Sequence, residues 1–497
     1  MANIKEWQPK PGDKIFRPRR IEQLRLRRVL GVSGLFSAAY GNVGSSIYYA
    51  LGVVTMSALG LTPQVLILSG FLFLFTGLTY AEGATALPEA GGSGAFARRA
   101  FNDLVSFLTS WVLMIDYIVT ISISAFSAAN YLGSFFPAIT IWPNNSLVAI
   151  VIVAGLALIN IRGIQESSRL NITLVIVDML TQVALAVLGV LFIINLPVLI
   201  NNIHWGIAPT TSQLLFGISI SMIAYTGIET VANLGGETRH PGKSIPRAVF
   251  LVFITVLLIY TFVSMSALSA YPVYQEAGGR WVTGLTQNYI ENPIMGVAHA
   301  MPPFIRPFLS SYVAVIAVII LIIATNAGII GASRLAYFMG MRQQLPPVIS
   351  QISKQSRVPK NAILIFCFLA AILVLTGRVT LLADLYAFGA MLAYTAAHVS
   401  VIALRIKEPD LPRPFKIPLN IRIRGKEIPV TAVLGGLATG VTWFIVVYTH
   451  TFGRIVGFAW IAIGLIIYIL YRRAKHLPIV ASAETGAGIK PVPQEKN

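Results

Sequence analysis

The chain has 497 residues, of which 56% are hydrophobic and only 11% charged, and its mean hydropathy is +0.74. Soluble domains carry about 25% charged residues, so a large water-soluble domain is excluded and an integral membrane protein fits. The net charge of +18 would suit a nucleic-acid binder, but its placement along the chain argues for membrane topology and no nucleic-acid partner.

Apolar stretches of about 20 residues, enough to cross a bilayer as helix, run near 30–57, 63–86, 104–132, 146–161, 172–195, 212–234, 248–269, 308–338, 361–376, 380–404, 428–449 and 455–471. The expected fold is all-α with twelve transmembrane helices. With the N-terminus in the cytoplasm, all of the 37 Lys and Arg except Arg280, Arg306, Arg378 and Arg454 fall on the inner side, as the positive-inside rule requires. That predicts a multi-pass protein of the cell (plasma) membrane with both termini cytoplasmic. The basic arm over 1–29, with Lys14, Arg17, Arg19, Arg20, Arg25, Arg27 and Arg28, is a topology signal resting against anionic headgroups. Its apolar run is a full span without a small-residue cleavage site, so the first span is expected to be retained. Cys367 stands alone inside the ninth stretch, which leaves neither a disulfide framework nor a thiol metal site.

Two stretches are interrupted by glycine at matching places. Tyr40-Gly41-Asn42-Val43-Gly44-Ser45-Ser46 breaks the first, and Ala224-Tyr225-Thr226-Gly227 breaks the sixth. Backbone N–H and C=O groups cannot stay unpaired in a bilayer unless they line a cavity, so paired breaks predict an inverted repeat with a polar site between its halves. The repeats are then 30–210 and 211–410, followed by a cytoplasmic loop 411–427, two added helices over 428–471 and a tail 472–497. The tail is rich in Gly, Pro and charge from Ala481 onward and is expected to be disordered. The long outer loop 270–307, with the amphipathic stretch Pro293–Met301, is a candidate lid.

Charged side chains inside the hydrocarbon cost about 2.5–3.5 kcal/mol each on insertion scales and mark function. Here they are all acids: Asp116 in span three, Asp178 in span five and Glu229 after the break in span six. No Lys or Arg falls in the middle of a span, so these carboxyls must be protonated, bind a cation or reach water. Asp116 heads a stripe with Thr120, Ser124 and Ser127, all on one helical face; oxygen ligands alone suit a hard cation or an ammonium group. At the breaks, N–H groups freed near Gly41, Gly44, Ser45 and Ser46 would attract a carboxylate, and carbonyls of Ala224–Thr226 an ammonium. A zwitterion satisfies both ends. Tyr48, Tyr49, Tyr225 and Tyr386 are candidates to line or gate such a cavity. Glu229 is expected to tie span six to its neighbours, and His398 and His240 to be structural, since no second His or Cys stands at ligand spacing. There is no GxxxxGK[ST], HExxH or GxSxG, so neither an enzyme, a cofactor nor an ATP-driven pump is expected.

Five further segments carry a resemblance. They are YAEGATALPEAGGSGAFARRAF at 80–101, NIRGIQESSRLN at 160–171, GETRHPGKSIPRAV at 236–249, ATNAGIIGASRLAYFM at 324–339, and LYAFGAMLAY with EPDLPRPFKIP within 385–418. In this order they resemble the amino acid-polyamine-organocation superfamily. The resemblance implies the LeuT-type five-plus-five fold and alternating access. Its substrate site would use Gly41, Asn42, Gly44, Ser45, Ser46, Tyr49, Ala224, Tyr225, Thr226 and Gly227, with Tyr386 closing it. Many relatives carry a Lys where this chain has Asp178, so a lysine-based coupling scheme does not transfer; Asp178 near Thr325 and Asn326 would instead handle sodium or a proton. A second resemblance, through Asp116-Tyr117, Thr120, Ser124, Asn42, Tyr49, Thr226 and Tyr386, is to Kup and KimA type potassium importers, although one acid of that pattern is Asn42 here. The expected function is import of an amino acid or related amine coupled to a proton or sodium gradient, with potassium import as the alternative and an exchanger or a non-transporting sensor behind both.

Overall fold

The computed structural model describes residues 30–88, 91–163, 168–353, 356 and 358–481. The basic arm through Arg28 and the tail beyond Ala481 lie outside these residues. Ten described helices are long and apolar enough to cross a membrane, and Lys360–Val374 is a shorter apolar one. The longest of the ten, Val32–Ala86, is divided at Leu59, where φ of +47° cannot continue a right-handed helix. Spans one and two thus separate at Leu59, and the helices coincide with the twelve apolar stretches read from the sequence.

Helix ends are set by local chemistry. Asn102 caps span three, Asp103–Leu132, by accepting from the amide of Val105 at 2.9 Å. Thr210 and Gln213 form a reciprocal capping box before Thr211–Ser221, the first half of span six. Such caps satisfy amides that the first helical turn cannot pair itself.

Span three is the central helix. It packs against span eight, Arg306–Met341, and span ten, Val379–Lys407, and is buried from Trp111 through Tyr131. The outermost helix is span twelve, Thr451–Ala474, of whose most apolar window only 22% is buried. Trp111 and Trp460 nevertheless lock spans three and twelve. Each indole N–H donates to the other's carbonyl at 2.8 Å, with the rings stacked at 4.4 Å. A Cβ on Gly464 would meet the Trp111 ring nitrogen at 2.1 Å, so only glycine admits the pair.

The outer loop is ordered into a hairpin, Val273–Gln275 with Trp281–Thr283, and two short helices, Gly284–Asn288 and Pro293–His299. The second helix is buried all round from Pro293 to Ala298, so it packs as an internal segment and lacks the exposed polar face expected of an amphipathic stretch. At the opposite, basic end a second hairpin pairs Asn420–Ile423 with Lys426–Pro429 and runs straight into span eleven, Val430–Thr449.

That basic end also holds a charge cluster that span-by-span reading passed over. Arg405 donates to both oxygens of Glu82, at 2.5 and 2.7 Å, with both residues at most 2% exposed. The amide of Ile417 adds a third bond to Glu82 at 2.8 Å. Glu82 ends span two and Arg405 ends span ten, so each reads separately as a helix-terminal charge. Only packing reveals the buried pair.

Candidate functional site

The interruption of span one is gentler than expected. Residues Gly44–Ser46 tighten into a 3-10 turn between Val32–Val43 and Ile47–Ala58, the flanking backbone stays right-handed, and the Gly44 amide still bonds the Tyr40 carbonyl. The tightening instead exposes carbonyls, and side chains collect them one by one. The carbonyl of Asn42 accepts from Ser45 and Ser46 at 3.0 and 3.4 Å, that of Val43 from Tyr260 at 2.5 Å, and that of Gly44 from Gln182 at 3.2 Å. Buried backbone acceptors must be paired, and here spans seven and five supply two of the four donors. The serine hydroxyls are thereby engaged locally.

Span six is opened more fully. A 3-10 turn over Met222–Tyr225 gives way to an extended Thr226 with φ −75° and ψ 154°, then Gly227 with φ +113°, before helix resumes at Glu229–Asn233. Gly227 is required twice over, since its φ disfavours any side chain and a Cβ would lie 2.7 Å from the Asn42 side chain. Asn42 in turn donates to Thr230 at 3.2 Å. The two breaks therefore touch through Asn42. Glu229, the first residue of the resumed helix, ties it to the break and to span ten, accepting from the Gly227 amide and from Tyr394, both at 3.1 Å.

Around this junction the expected residues come together in part. Ser46 and Tyr49 hydroxyls meet at 2.9 Å, Tyr386 and Thr120 at 2.8 Å, and Thr120 back-bonds the Asp116 carbonyl at 2.8 Å. Asp116 is fully buried, and neither carboxyl oxygen has a hydrogen-bond partner; Ser124 and Ser127 hydroxyls are likewise unpaired. An unpaired buried carboxyl is costly, so this stripe is a place where a cation, an ammonium group or a proton is stabilising. Tyr225 points elsewhere, donating to the Leu66 carbonyl at 2.7 Å among Phe73 and Tyr260. Thr226 bonds back to Ile223 at 2.9 Å, Ala224 is buried, and Gly41 lies against Val175 of span five.

Asp178 forms a second centre. Tyr48 donates to Oδ1 at 2.7 Å and Gln182 to Oδ2 at 2.8 Å. Since Gln182 also holds the Gly44 carbonyl, the acid is tied to the span-one turn. Thr325 and Asn326, expected beside it, bond elsewhere: Thr325 to the Leu321 carbonyl at 2.8 Å, and Asn326 to Asn160 at 2.6 Å. The partners that sequence reasoning missed are Gln182, Tyr260 and Tyr131. Gln182 follows Asp178 by one helical turn, a spacing that could have flagged it; nothing local marks the two tyrosines.

Tyr131 extends the network outward. Its hydroxyl donates to the Tyr48 carbonyl at 2.9 Å and accepts from the Ile294 amide at 3.2 Å. His398 is buried with both ring nitrogens satisfied by Thr76 and Thr79, at 3.2 and 2.8 Å, as expected of a structural histidine, while His240 is exposed and Cys367 is buried.

A bundle of long apolar helices with two touching helix breaks and buried acids beside them defines a multi-pass membrane transporter. The amino acid permease family model matches residues 30–471, and the chain belongs to that family, within the amino acid-polyamine-organocation superfamily. It is 25% identical to the branched-chain amino acid permease BcaP of Bacillus subtilis, over 93% of this chain and 98% of that one. A methylthioribose transporter of the same organism is 24% identical, over 87% and 90% of the two chains. The human large neutral amino acids transporter small subunit 2 is 25% identical, over 79% and 73%. A solved manganese transporter of Eremococcus coleocola shares the fold, with a TM-score of 0.51 at 12% identity over 89% of this chain and 93% of that one.

Proposed function

We propose that this permease imports an amino acid at the junction of the two breaks by alternating access, driven by a proton or sodium gradient. Both termini are placed in the cytoplasm on the strength of the basic loops. The observation that carries the reading is the contact of the two interruptions through Asn42, Gly227 and Thr230, in a protein that also holds an unpaired buried carboxyl at Asp116. An α-amino group is the natural partner of that carboxyl and of the Thr120 and Ser124 hydroxyls. The substrate carboxylate would lie toward the Gly44–Ser46 turn, where Ser45 and Ser46 can exchange their internal bonds for it. The names of the relatives support an amino acid with a large apolar side chain as the first candidate.

Asp178 is assigned to the coupling cation, with a proton favoured by its surroundings. Both carboxylate oxygens already accept hydrogen bonds, which suits an ionised acid and leaves few lone pairs for a metal ion. A proton arriving on Oδ1 would reverse the Tyr48 bond, because a hydroxyl can accept as readily as donate. Gln182 would then hold Oδ2 and the Gly44 carbonyl unchanged. Proton binding is thereby felt at Tyr48, two residues beyond the break in span one.

Thermal stabilisation of the purified protein by candidate ligands tests the substrate class, because a ligand that binds only the folded state raises Tm. Branched-chain amino acids are expected to raise it, and rubidium, polyamines and methylthioribose are not. Stabilisation by rubidium alone would replace this reading with potassium import.

A further inference from the structure

We propose that the hairpin Asn420–Pro429 is a docking surface for anionic lipid headgroups at the basic end of the bundle. Side chains alternate faces along a strand, and Ile421 and Ile423 of the first strand are 55% and 52% exposed. In the pairing register Ile428 lies opposite Ile421, and Lys426 opposite Ile423, so these residues share one face. The turn uses two residues of positive φ, Arg424 at +50° and Gly425 at +78°, the backbone of a tight hairpin turn. It projects Arg424 beside Lys426, and both side chains are exposed and form no ion pair among the described residues.

The other face is held down. Glu427 pairs with Arg405, Arg422 and Lys416 at 3.1, 3.2 and 3.3 Å, and Arg405 is itself bound to the buried Glu82. The Val430 amide bonds the Leu419 carbonyl at 2.9 Å, closing the base of the hairpin onto the first residue of span eleven. The hairpin therefore cannot roll over to bury its aliphatic side chains against the bundle.

A bilayer surface satisfies that face best. The hairpin adjoins a membrane span, placing it at headgroup level. Its composition, aliphatic side chains beside unpaired cations, is that of interfacial segments that insert apolar groups and attract anionic lipids. A protein interface would be expected to bring aromatic side chains and to exclude lysine from its centre. The hairpin has no aromatic residue, and its turn end carries Arg424 and Lys426 next to the exposed Ile423.

The test places an environment-sensitive fluorophore at Ile423→Cys in the full chain, in a Cys367→Ser background, reconstituted in vesicles of phosphatidylcholine with or without phosphatidylglycerol. A matching label at Arg422→Cys reports the opposite face. Lipid-borne quenchers at headgroup depth should quench the label at position 423 and shift its emission to the blue, more strongly with phosphatidylglycerol, while the label at 422 stays in water. Arg424→Glu with Lys426→Glu should remove the phosphatidylglycerol dependence. A label at 423 that remains in water in both lipids would overturn the proposal, as would quenching indifferent to lipid charge and to the charge reversal. Bifunctional thiol cross-linking between copies through position 423 would assign the face to a second copy instead.

Discussion

The hydroxyl of Tyr48 donates to Oδ1 of Asp178 at 2.7 Å, joining the second half of span one to the acid of span five. Gln182 binds both the other oxygen and the Gly44 carbonyl, so the acid is anchored to the helix turn beside the proposed substrate site, and a change in its charge acts on span one through Tyr48.

Asp178→Asn should accordingly abolish gradient-driven accumulation while substrate exchange across the membrane persists. Tyr48→Phe should retain accumulation but shift its pH profile, since the carboxyl keeps Gln182 and loses one donor. Uptake and counterflow measured in the same vesicles separate the two effects, and unchanged coupling in Asp178→Asn would remove that residue from the mechanism.

Asp116→Asn preserves shape and removes charge. A hydrogen bond to a charged group contributes about 1.5–3 kcal/mol, so substrate affinity should fall by about 10- to 100-fold. Thr120→Val should cost less, because its hydroxyl offers the ammonium group a neutral acceptor, shared with Tyr386, where Asp116 offers a charge. Titration of the ligand-induced Tm shift gives both values.

Gly227→Ala should destabilise the protein by about 1–3 kcal/mol through backbone strain alone, with a further cost from the 2.7 Å approach to Asn42. Asn42→Ala in that background should recover the second part only. Thermal unfolding in detergent measures both, and an unaltered Tm for Gly227→Ala would contradict the geometry of the break.

Arg405→Ala takes the two-pronged partner from the buried Glu82 and leaves it only Arg413 at 3.4 Å and the Ile417 amide; breaking a buried pair on one side typically costs about 3–5 kcal/mol, whereas replacing both partners with apolar residues costs much less. Arg405→Met should therefore unfold at a lower temperature than the double variant Glu82→Leu with Arg405→Met. Size-exclusion profiles after graded heating distinguish them.

In the outer loop, burial pushes the Glu291 carboxyl up to about 7 from an ordinary value of 4.5. The ordered loop binds this proton more tightly than the opened loop, so its stability should be greatest near pH 4.5 and fall as pH rises toward about 7. Hydrogen-exchange protection over 284–299, corrected for intrinsic rates, should be higher at pH 5 than at pH 8. Glu291→Gln should flatten that dependence. Because Ile294 reaches Tyr48 through Tyr131, Tyr131→Phe should also loosen this segment.

The helices were legible because long apolar runs in a bilayer can be little else, and the break at Ala224–Gly227 because glycine interrupts an apolar run there; its positive φ came only with the structure. The span-one break was overread. Glycine and serine there signal relaxed sterics, yet Tyr260 and Gln182 supply bonds that keep the turn compact, and both are distant in sequence. Asp116, Asp178 and Glu229 stood out by charge. Their neighbours did not, since a tyrosine or glutamine in a span looks the same whether it holds an acid or another helix. The pairing of Glu82 with Arg405 was hidden for a related reason, as each charge sits where helix ends usually meet water.

The most direct measurement is accumulation of labelled branched-chain amino acid by proteoliposomes under an inward proton gradient, run beside labelled rubidium. The account predicts accumulation of the amino acid that collapses with a protonophore and is absent in Asp178→Asn. Rubidium accumulation without any organic solute would contradict it.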